Sequence, residues 1–504
     1  MDMPTKPRPA AQKLRHYDEL PGPRTLPVFG NLLQIESTRL HLQLEQWCEE
    51  FGPVFKLRLG PRRAIVIGDH ELIAAALRDR PDGFRRSLKF EQVWTEMGMP
   101  IGVFGASGET WRRQRRMVMA GFDPAHVKQY FPSLQRVAQR LVSRWQQAAR
   151  QGTAIDLQAD LMRYTVDAIA GLAFGTEVDT LASDEDVIQN HLNRIFPTLF
   201  KRIFAPLPTW RWWPSAEDRS LVRSVAAVNA AVDTFVAQAR ARLQADPSLR
   251  EHPRNLLEAM LVAADEPGSG MDDQQVAGNV LTMLLAGEDT TANTLAWTIH
   301  LLWRHPAALA RATEEVRRVC GDGRAPTLEQ IAQLDVVEAC CHEAMRLKPV
   351  APQNTMQALR ETTLGDLHIP EGMIVIAVMR RDATSERHVP DAATFDPGRW
   401  LGDGGPSQAA SAAKRISMPF GAGPRICPGR YLALLEMKMA MAALLGGFDL
   451  ESVGTADGQE PQERLQLVMA PVGLTMRLRE RQLLAAKSDE IDADAMVRPQ
   501  PAAS

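Results

Sequence analysis

The chain has 504 residues, of which 45% are hydrophobic and 24% are charged, and its formal net charge is −3. This composition is that of an ordinary globular protein and excludes collagen-like, disordered and disulfide-scaffold classes. The near balance of 58 basic and 61 acidic residues argues against nucleic acid as the main partner. The five cysteines are widely scattered and lack zinc-like spacing, which is typical of a protein in a reducing compartment.

The two ends of the chain differ in composition from its body. Residues 1–20 are polar and rich in proline and predict a flexible N-terminal segment, and residues 487–504 predict a disordered tail. We find neither a signal peptide nor a long uncharged apolar stretch, so we expect a cytoplasmic protein without a membrane anchor. Residues 21–486 contain no repeat and no clear linker, and we expect them to form a single large domain.

Hydrophobic periodicity predicts that the body is mainly α with a minor β-sheet portion. Residues 54–60 and 64–68 alternate around a Pro-Arg-Arg turn and predict a β-hairpin. From Glu71 to Arg346 the apolar period is helical. The longest helical stretches are 135–151, 220–244 and 275–304; a buried strand is predicted at 373–379, a flexible surface loop at 401–413, and an apolar helix at 431–445 that ends at Gly446 and Gly447.

The segment FGAGPRICPG, residues 420–429, presents Cys427 from a glycine-rich loop. Glycine allows backbone conformations that let a loop approach a flat ligand closely. We expect Pro428 to begin a helix, whose positive end favours a thiolate suited to a soft metal. On these residues alone, a buried and inert cysteine is the alternative.

A second segment, AGEDTT at residues 286–291, interrupts an apolar helical stretch. Glycine inside a helix destabilises it by about 1 kcal/mol relative to alanine, so we expect Gly287 to be required there for close packing or for function. Small Ala286 and Gly287 would let something bulky lie against the backbone. Burying an acid and two hydroxyls in an apolar helix costs free energy unless these groups have partners or a function. The alternative interpretation is a polar patch that faces solvent.

Two pairs of residues, each containing an arginine, have helical spacing. Glu343 and Arg346 are three residues apart, and Trp111 and Arg115 are four apart, so each pair shares a helix face. A Trp N–H and an Arg guanidinium together suit a carboxylate. The alternatives are a surface ion pair and a basic amphipathic helix.

These four segments, in their order along the chain, resemble the motifs of the cytochrome P450 family, and the resemblance spans residues 20 to 480. It implies the cytochrome P450 fold and a haem b cofactor, with Cys427 as the axial thiolate ligand of the iron. Arg425, Trp111 and Arg115 would bind the haem propionates. The full set of implied cofactor contacts is Trp111, Arg115, Ala286, Gly287, Phe420, Arg425 and Gly429.

The resemblance also implies roles for the charged and hydroxyl residues. Thr290 would act on bound O₂, and Asp289 would pass protons inward from solvent. Glu343, Arg346 and Arg399, the last from FDPGRW, would form a structural ion-pair triad. One departure is that Met356 and Gln357 stand where the family often has another propionate-binding arginine, so that contact is weaker or supplied elsewhere.

The expected electron source is a separate protein. Too little chain follows Cys427 for a flavin or iron–sulfur domain, so we expect NAD(P)H electrons to arrive through a ferredoxin or flavodoxin and its reductase. Arg112, Arg113 and Arg116 are expected to form a basic proximal surface for that donor.

The implied substrate contacts are apolar and come from four segments. They suit a hydrophobic small molecule such as a fatty acid, terpenoid or steroid, although plain core packing is the alternative for each. Residues 196–213 are expected to form an apolar entrance, to touch a membrane surface, or to pack in the core. The implied substrate contacts are Phe90, Val93, Trp94, Met97, Met99, Val103, Met283, Val350, Ala351, Val468 and Met469, with Ala286 beside them.

The function predicted from the sequence is a haem-thiolate monooxygenase that hydroxylates or epoxidises a hydrophobic molecule with O₂. Asp289 and Thr290 favour reductive O₂ activation. The alternatives are a peroxygenase or haem isomerase with the same fold, and a haem-binding sensor without catalysis.

Overall fold

The computed structural model describes residues 13–481 except 123, 176–179, 182–186, 206 and 402–407. Helices dominate this part of the chain. They are α1 (Leu40–Phe51), α2 (His70–Arg78), α3 (Leu88–Glu96), α4 (Gly108–Gly121), α5 (Pro124–Gln151), α6 (Leu157–Phe174), α7 (Val187–Phe204), α8 (Ala216–Ala245), α9 (Leu256–Asp265), α10 (Asp273–Arg304), α11 (Pro306–Cys320), α12 (Leu328–Ala332), α13 (Asp335–Leu347), α14 (Gln408–Ile416) and α15 (Arg430–Gly447).

The strands form four small sheets. A five-stranded sheet has the order β1-β2-β8-β5-β3, in which only β2 and β8 are parallel. A three-stranded sheet has the order β4-β12-β9, and β6–β7 and β10–β11 are separate hairpins. The strands are β1 (Val54–Leu59), β2 (Arg62–Ile67), β3 (Phe84–Arg86), β4 (Ile155–Asp156), β5 (Gln353–Ala358), β6 (Thr362–Leu364), β7 (Leu367–Ile369), β8 (Ile374–Val378), β9 (Phe448–Gly454), β10 (Glu463–Leu465), β11 (Met469–Pro471) and β12 (Thr475–Glu480).

Helix α10 is the central element. Asp272 caps its first turn and exchanges hydrogen bonds with Gln275. The helix belongs to two apolar clusters, one with α5, α6, α13 and α15 and the other with α3, α4, α8 and α9. Because apolar side chains surround it on most sides, a polar residue in its middle reaches the protein interior rather than bulk solvent.

The predicted fold class, hairpin, long helices and buried strand are all confirmed. The end of α15 differs from the prediction, because the helix includes Gly446 and Gly447. A Cβ on Gly446 would lie 2.6 Å from the backbone of Asp322. The glycine therefore permits close packing of α15 and does not terminate it.

Two segments expected to be loose are ordered where the structure describes them. Residues 13–20 pack on the five-stranded sheet: the Tyr17 hydroxyl donates to the carbonyl of Leu57 at 2.8 Å, and Leu20 is buried. In the predicted loop 401–413, residues from Gln408 onward form α14, which buries Ala413 and Ile416. Residues 1–12, 402–407 and the predicted tail 487–504 lie outside the described residues.

One described helix, α8, is long and apolar enough to cross a membrane by length and composition alone. A third of its apolar window is buried in the protein, where Leu221, Val225 and Val228 pack in the core. This finding is weak support for a membrane span, because the core helix of a soluble protein passes the same test.

Candidate active site

The cysteine loop is held by its own backbone and by α2. The N–H of Cys427 donates to the carbonyl of Phe420 at 2.9 Å, and Gly421 and Gly423 have φ of +74° and +71°. A Cβ on Gly423 would lie 2.5 Å from the carbonyl oxygen of Leu77 at the end of α2. Glycine is therefore required at 423 by both conformation and space.

The Cys427 thiol is half-buried and lies before the first turn of α15. The helix begins at Arg430, with Gly429 as its N-cap, so Pro428 is not the first helical residue as predicted. Burial raises the pKa of the Cys427 thiol, while a hydrogen bond from the backbone of Gly429 and the charges of Arg115 and Arg430 lower it. These groups would favour the thiolate that binds a metal.

Three arginines meet beside the cysteine loop, of which Arg80 is buried and Arg86 and Arg425 are half-buried. Arg80 and Arg425 have guanidinium N–H groups without a hydrogen-bond acceptor, while Arg86 donates to the carbonyl of Phe104 at 2.9 Å. No carboxylate of the described residues pairs with any of the three. Burial lowers the pKa of Arg80 to about 10. Burial and the charges of neighbouring arginines lower the pKa of Arg425 to about 9 and also lower that of Arg86. Buried cations require an anion, so this cluster needs a ligand that carries negative charge.

The structure brings the predicted propionate contacts to this cluster. The Arg425 guanidinium lies 5.1 Å from the centre of the Trp111 ring and donates to the carbonyls of Val103 and Ala106. Arg115 donates to the carbonyl of Ile426 at 2.8 Å and so ties α4 to the cysteine loop.

Arg80 and Arg86 were missed by sequence reasoning. Arg86 in β3 pairs directly with Met356 in β5. The cation that the resemblance places near Met356 therefore comes from the neighbouring strand. Only the strand pairing shows that Arg86 lies next to Met356, since 270 residues of sequence separate the two positions.

The polar segment of α10 presents its side chains in different directions. Ala286 and Thr290 border an internal cavity, and the Thr290 hydroxyl donates to the carbonyl of Ala286 at 2.7 Å. A Cβ on Gly287 would lie 3.1 Å from the Ile169 side chain, so this glycine faces α6. Gly287 therefore permits close packing of α10 on α6, in place of the predicted cofactor contact.

The acids near this segment hold protons more tightly than usual. Desolvation raises the pKa of Asp289 to about 6. Burial raises the pKa of Glu436 on α15 to about 8, and a hydrogen bond with Thr291 partly offsets this increase. Thr291 therefore faces α15, whereas Thr290 faces the cavity. Glu436 was not singled out in the sequence, where it is one acid in an apolar helix.

The cavity has a volume of about 570 Å³ and reaches from α10 to Arg86. Of the predicted substrate contacts, Phe90, Trp94, Ala351 and Val468 line it. The apolar face of α7 also lines it, through residues spaced three and four apart: Phe196, Phe200, Ile203 and Phe204. This finding agrees with the predicted apolar entrance, while Trp212 and Trp213 are exposed.

The other predicted substrate contacts do not line the cavity. Val93 of α3 and Met97, the residue that follows this helix, pack in the core cluster that also contains Phe90 and Trp94. Val103 is held by its backbone, which accepts from Arg425 and donates to Asn279. The remaining four, which pack against other side chains, are Met99, Met283, Val350 and Met469.

The ion-pair triad forms as predicted. Arg346 makes two hydrogen bonds with Glu343, at 2.7 and 2.8 Å, and both side chains are fully buried. Arg399 approaches Glu343 at 3.3 Å, and the indole N–H of Trp400 donates to it at 2.8 Å. Arg346 also donates to the carbonyl of Ala392. The triad joins α13 to the segment before the cysteine loop and lies away from the cavity.

The predicted basic proximal surface is only partly present. Arg112 forms ion pairs with Asp82 and Glu109, and Arg113 lies against Gly270, so Arg116 alone of the three is an exposed cation with no described partner. A concave surface next to the cysteine loop instead carries exposed Lys414 and Arg430.

The residues present fit a haem. The structure supplies a half-buried thiol, a small residue facing an internal cavity on α10, and buried guanidinium groups without acceptors. Cys427 would bind the iron, and Arg80, Arg86, Arg425, Trp111 and Arg115 would bind the two propionates.

Comparison with known proteins agrees with this geometry. A sequence profile of cytochrome P450 matches residues 20–478, and the chain belongs to the cytochrome P450 family. The protein is therefore an oxidoreductase of the monooxygenase type that uses haem b, O₂ and NAD(P)H-derived electrons delivered by redox partners.

Similar proteins come from bacteria and plants. Cyclooctatin synthase of Streptomyces melanosporofaciens is 30% identical over 90% of this chain and 94% of its own length. Cyclooctat-9-en-7-ol 5-monooxygenase of the same organism is 29% identical over 86% of this chain and 89% of its own. Protein LUTEIN DEFICIENT 5, chloroplastic, of Arabidopsis thaliana is 26% identical over 85% and 72%.

Proposed function

We propose that this protein hydroxylates or epoxidises a hydrophobic small molecule by reductive activation of O₂. The observation that carries the proposal is the position of Thr290 at the cavity wall, next to Asp289 with its raised pKa. A haem bound through Cys427 would supply the O₂ activation and oxygen-insertion chemistry.

Side chains of the protein transfer protons and bind the substrate. Asp289 can take up and release a proton near pH 6, because desolvation raises its pKa to about 6. Thr290 exposes its hydroxyl to the cavity, where it can pass that proton onward. The apolar walls contributed by α7 and α3 exclude water and bind the substrate skeleton. The names of the two Streptomyces relatives support a hydrophobic substrate.

The first test is the spectrum of the reduced protein with carbon monoxide. We expect a strongly red-shifted Soret band in the wild type and its loss in Cys427→Ala. Product formation should require NAD(P)H and a redox partner, and should fall at least tenfold in Thr290→Ala and Asp289→Asn. Turnover by hydrogen peroxide that both variants retain would instead indicate a peroxygenase, and ligand spectra without any product would indicate a sensor.

We infer that the electron donor is an acidic ferredoxin or flavodoxin that docks at the concave surface carrying Lys414 and Arg430. Support comes from the exposure of these two cations and from the contribution of Phe420 and Ile426 to the same surface, which also carries exposed Asp335. Opposite charges across an interface accelerate association in a salt-dependent manner.

The double variant Lys414→Glu/Arg430→Glu tests this surface. Its reduction rate at low salt should fall about tenfold and lose its salt dependence. Arg223→Glu, an exposed charge reversal on α8, is the matched control and should behave as wild type. Equal effects of both changes would contradict the docking site.

We also propose a reducing, cytoplasmic location. All five cysteines are free, including the adjacent buried pair Cys340 and Cys341.

A further inference from the structure

The cavity reaches solvent next to the turn between β1 and β2. Exposed Pro61 and Arg62 line it there, together with Lys89 from the first turn of α3 and Phe204 from the end of α7. At its other end lie Ala286 and Thr290 of α10. A molecule that enters at this mouth can therefore extend through apolar walls to the reactive end.

All charged residues that line the cavity are cations. They are Arg62, Lys89 and Arg86, and no Asp or Glu is among the described lining residues. Arg86 belongs to the cluster with Arg80 and Arg425 that we assign to the propionates. Arg62 and Lys89 are left, and neither has a carboxylate partner in the described part of the chain.

The ammonium group of Lys89 is partly buried beside an aromatic ring, and no carboxylate forms an ion pair with it among the described residues. Its ammonium group lies 5.6 Å from the centre of the Trp210 ring, and the indole N–H of Trp210 is itself buried without a described acceptor. Partial burial, with the charges of Arg62 and Arg211, lowers the pKa of Lys89. The nearby carboxylate of Glu96 partly offsets this decrease, but Glu96 forms its ion pair with Arg211, and Lys89 has no ion pair among the described residues.

We propose that the substrate is an amphipathic carboxylate whose anionic group is bound at the cavity mouth by Lys89 and Arg62. Its apolar portion then lies along α7 and reaches Thr290. This inference rests on the proposed function and narrows its substrate class. A neutral skeleton of the same shape would cover half-buried Lys89 and exposed Arg62 without supplying an anion, which costs binding energy.

Binding of matched ligands to the haem-loaded protein tests the inference. Dodecanoate, dodecanol and methyl dodecanoate share one apolar chain and differ only in the charge of the end group. We expect dodecanoate to bind at least about tenfold more tightly than either neutral ligand at low salt, with the difference shrinking as salt screens the ion pairs. Equilibrium dialysis measures binding directly, and the spin-state shift of the Soret band reports whether the chain reaches the iron.

Charge-neutral variants identify the residues. Lys89→Gln and Arg62→Gln should each lower dodecanoate affinity several-fold and leave dodecanol affinity unchanged, and the double variant should bind both ligands equally. Arg63→Gln is the matched control, because Arg63 lies one residue away and stacks on Tyr17 near Asp18. It should retain the preference for the carboxylate.

The inference is overturned if the neutral ligands bind as tightly as dodecanoate, if none of the three binds, or if the double variant keeps the preference. Failure of the proposed function is distinguishable. It would show as absence of the red-shifted carbon monoxide spectrum or of reductant-dependent product, whichever ligand binds.

Discussion

At the scale of single residues, the buried arginines next to the cysteine loop distinguish the haem-free protein from the loaded one. Arg80 is 4% exposed and has two guanidinium nitrogens without an acceptor. Desolvation of an unpaired cation destabilises the fold by several kcal/mol in general, and an anion that binds there removes this cost. Arg80 is therefore expected to oppose folding before haem binds and to stabilise the complex afterwards.

Arg80→Met should separate these two effects. Without the buried charge, the haem-free protein should become more stable to urea by about 1–3 kcal/mol. Haem should leave the loaded variant at least about tenfold faster, measured as transfer to excess apomyoglobin. Arg78→Met, an exposed change two residues away on α2, is the control. A variant that keeps haem as well as wild type, and is less stable without it, would contradict the assignment.

Asp289 predicts a pH dependence of stability. Its native pKa of about 6 lies above the ordinary value of 3.8, so the native state binds more protons between these two values. The stability of the wild type should therefore fall relative to Asp289→Asn as pH rises from 4 to 6, by up to about 3 kcal/mol, and the difference should stay constant above pH 7. Urea unfolding of both proteins across this range measures it, and a difference that does not vary with pH would refute the raised pKa.

At the scale of elements, the site depends on the contacts made by the middle of α10 and by the C-terminal end of α2. Helix α10 gives its segment 286–291 to three neighbours, since Thr290 faces the cavity, Gly287 packs on Ile169 of α6, and Thr291 bonds to Glu436 of α15. Helix α2 supports the cysteine loop, because its terminal backbone contacts Gly423. The thiol is thus positioned by packing against α2 as well as by its own loop.

Two glycine substitutions in this loop distinguish packing from backbone conformation. Gly421→Ala meets only the conformational cost, about 1–2 kcal/mol, because no atom lies within 4 Å of its added Cβ. Gly423→Ala adds a clash with the carbonyl of Leu77 and should cost about 3 kcal/mol or more. Urea unfolding and haem content should both show the larger loss for Gly423→Ala. Equal losses would mean that α2 does not hold the loop.

At the scale of the whole molecule, burial separates one cysteine from four. Cys48, Cys320, Cys340 and Cys341 lie in the core, whereas Cys427 is half-buried. Burial raises the pKa of Cys48 and Cys341 to about 12 and of Cys320 to about 11, so these thiols hold their protons and react poorly.

Thiol titration should therefore report the state of the site. A disulfide reagent should modify no thiol rapidly in the haem-loaded protein, one in the haem-free protein, and all five after denaturation. Cys427→Ala should abolish the single reactive thiol of the haem-free form. Rapid modification of several thiols in the native protein would show that the core opens more readily than its packing indicates.

The sequence by itself determined the class of fold, the identity of the cysteine loop, the acid and hydroxyl on the central helix, and the ion-pair triad. The cysteine loop, the acid and hydroxyl, and the Glu343–Arg346 pair depend on residue types at short, fixed spacings, which local chain geometry preserves, whereas Arg399 was predicted through the resemblance of the whole motif set. Periodicity also placed the long helices, because an apolar face repeats along the chain.

Only the tertiary structure decided which side chains reach the cavity and which cations reach the cysteine loop. Phe90 and Val93 are apolar positions on one helix and belong to the same core cluster, and only the neighbours of α3 determine that Phe90 also lines the cavity. Arg86 takes the place of a cation near Met356 because β3 pairs with β5, a contact between distant parts of the chain. Spacing along a sequence specifies the face of an element, whereas the surroundings of that face depend on elements brought together by folding.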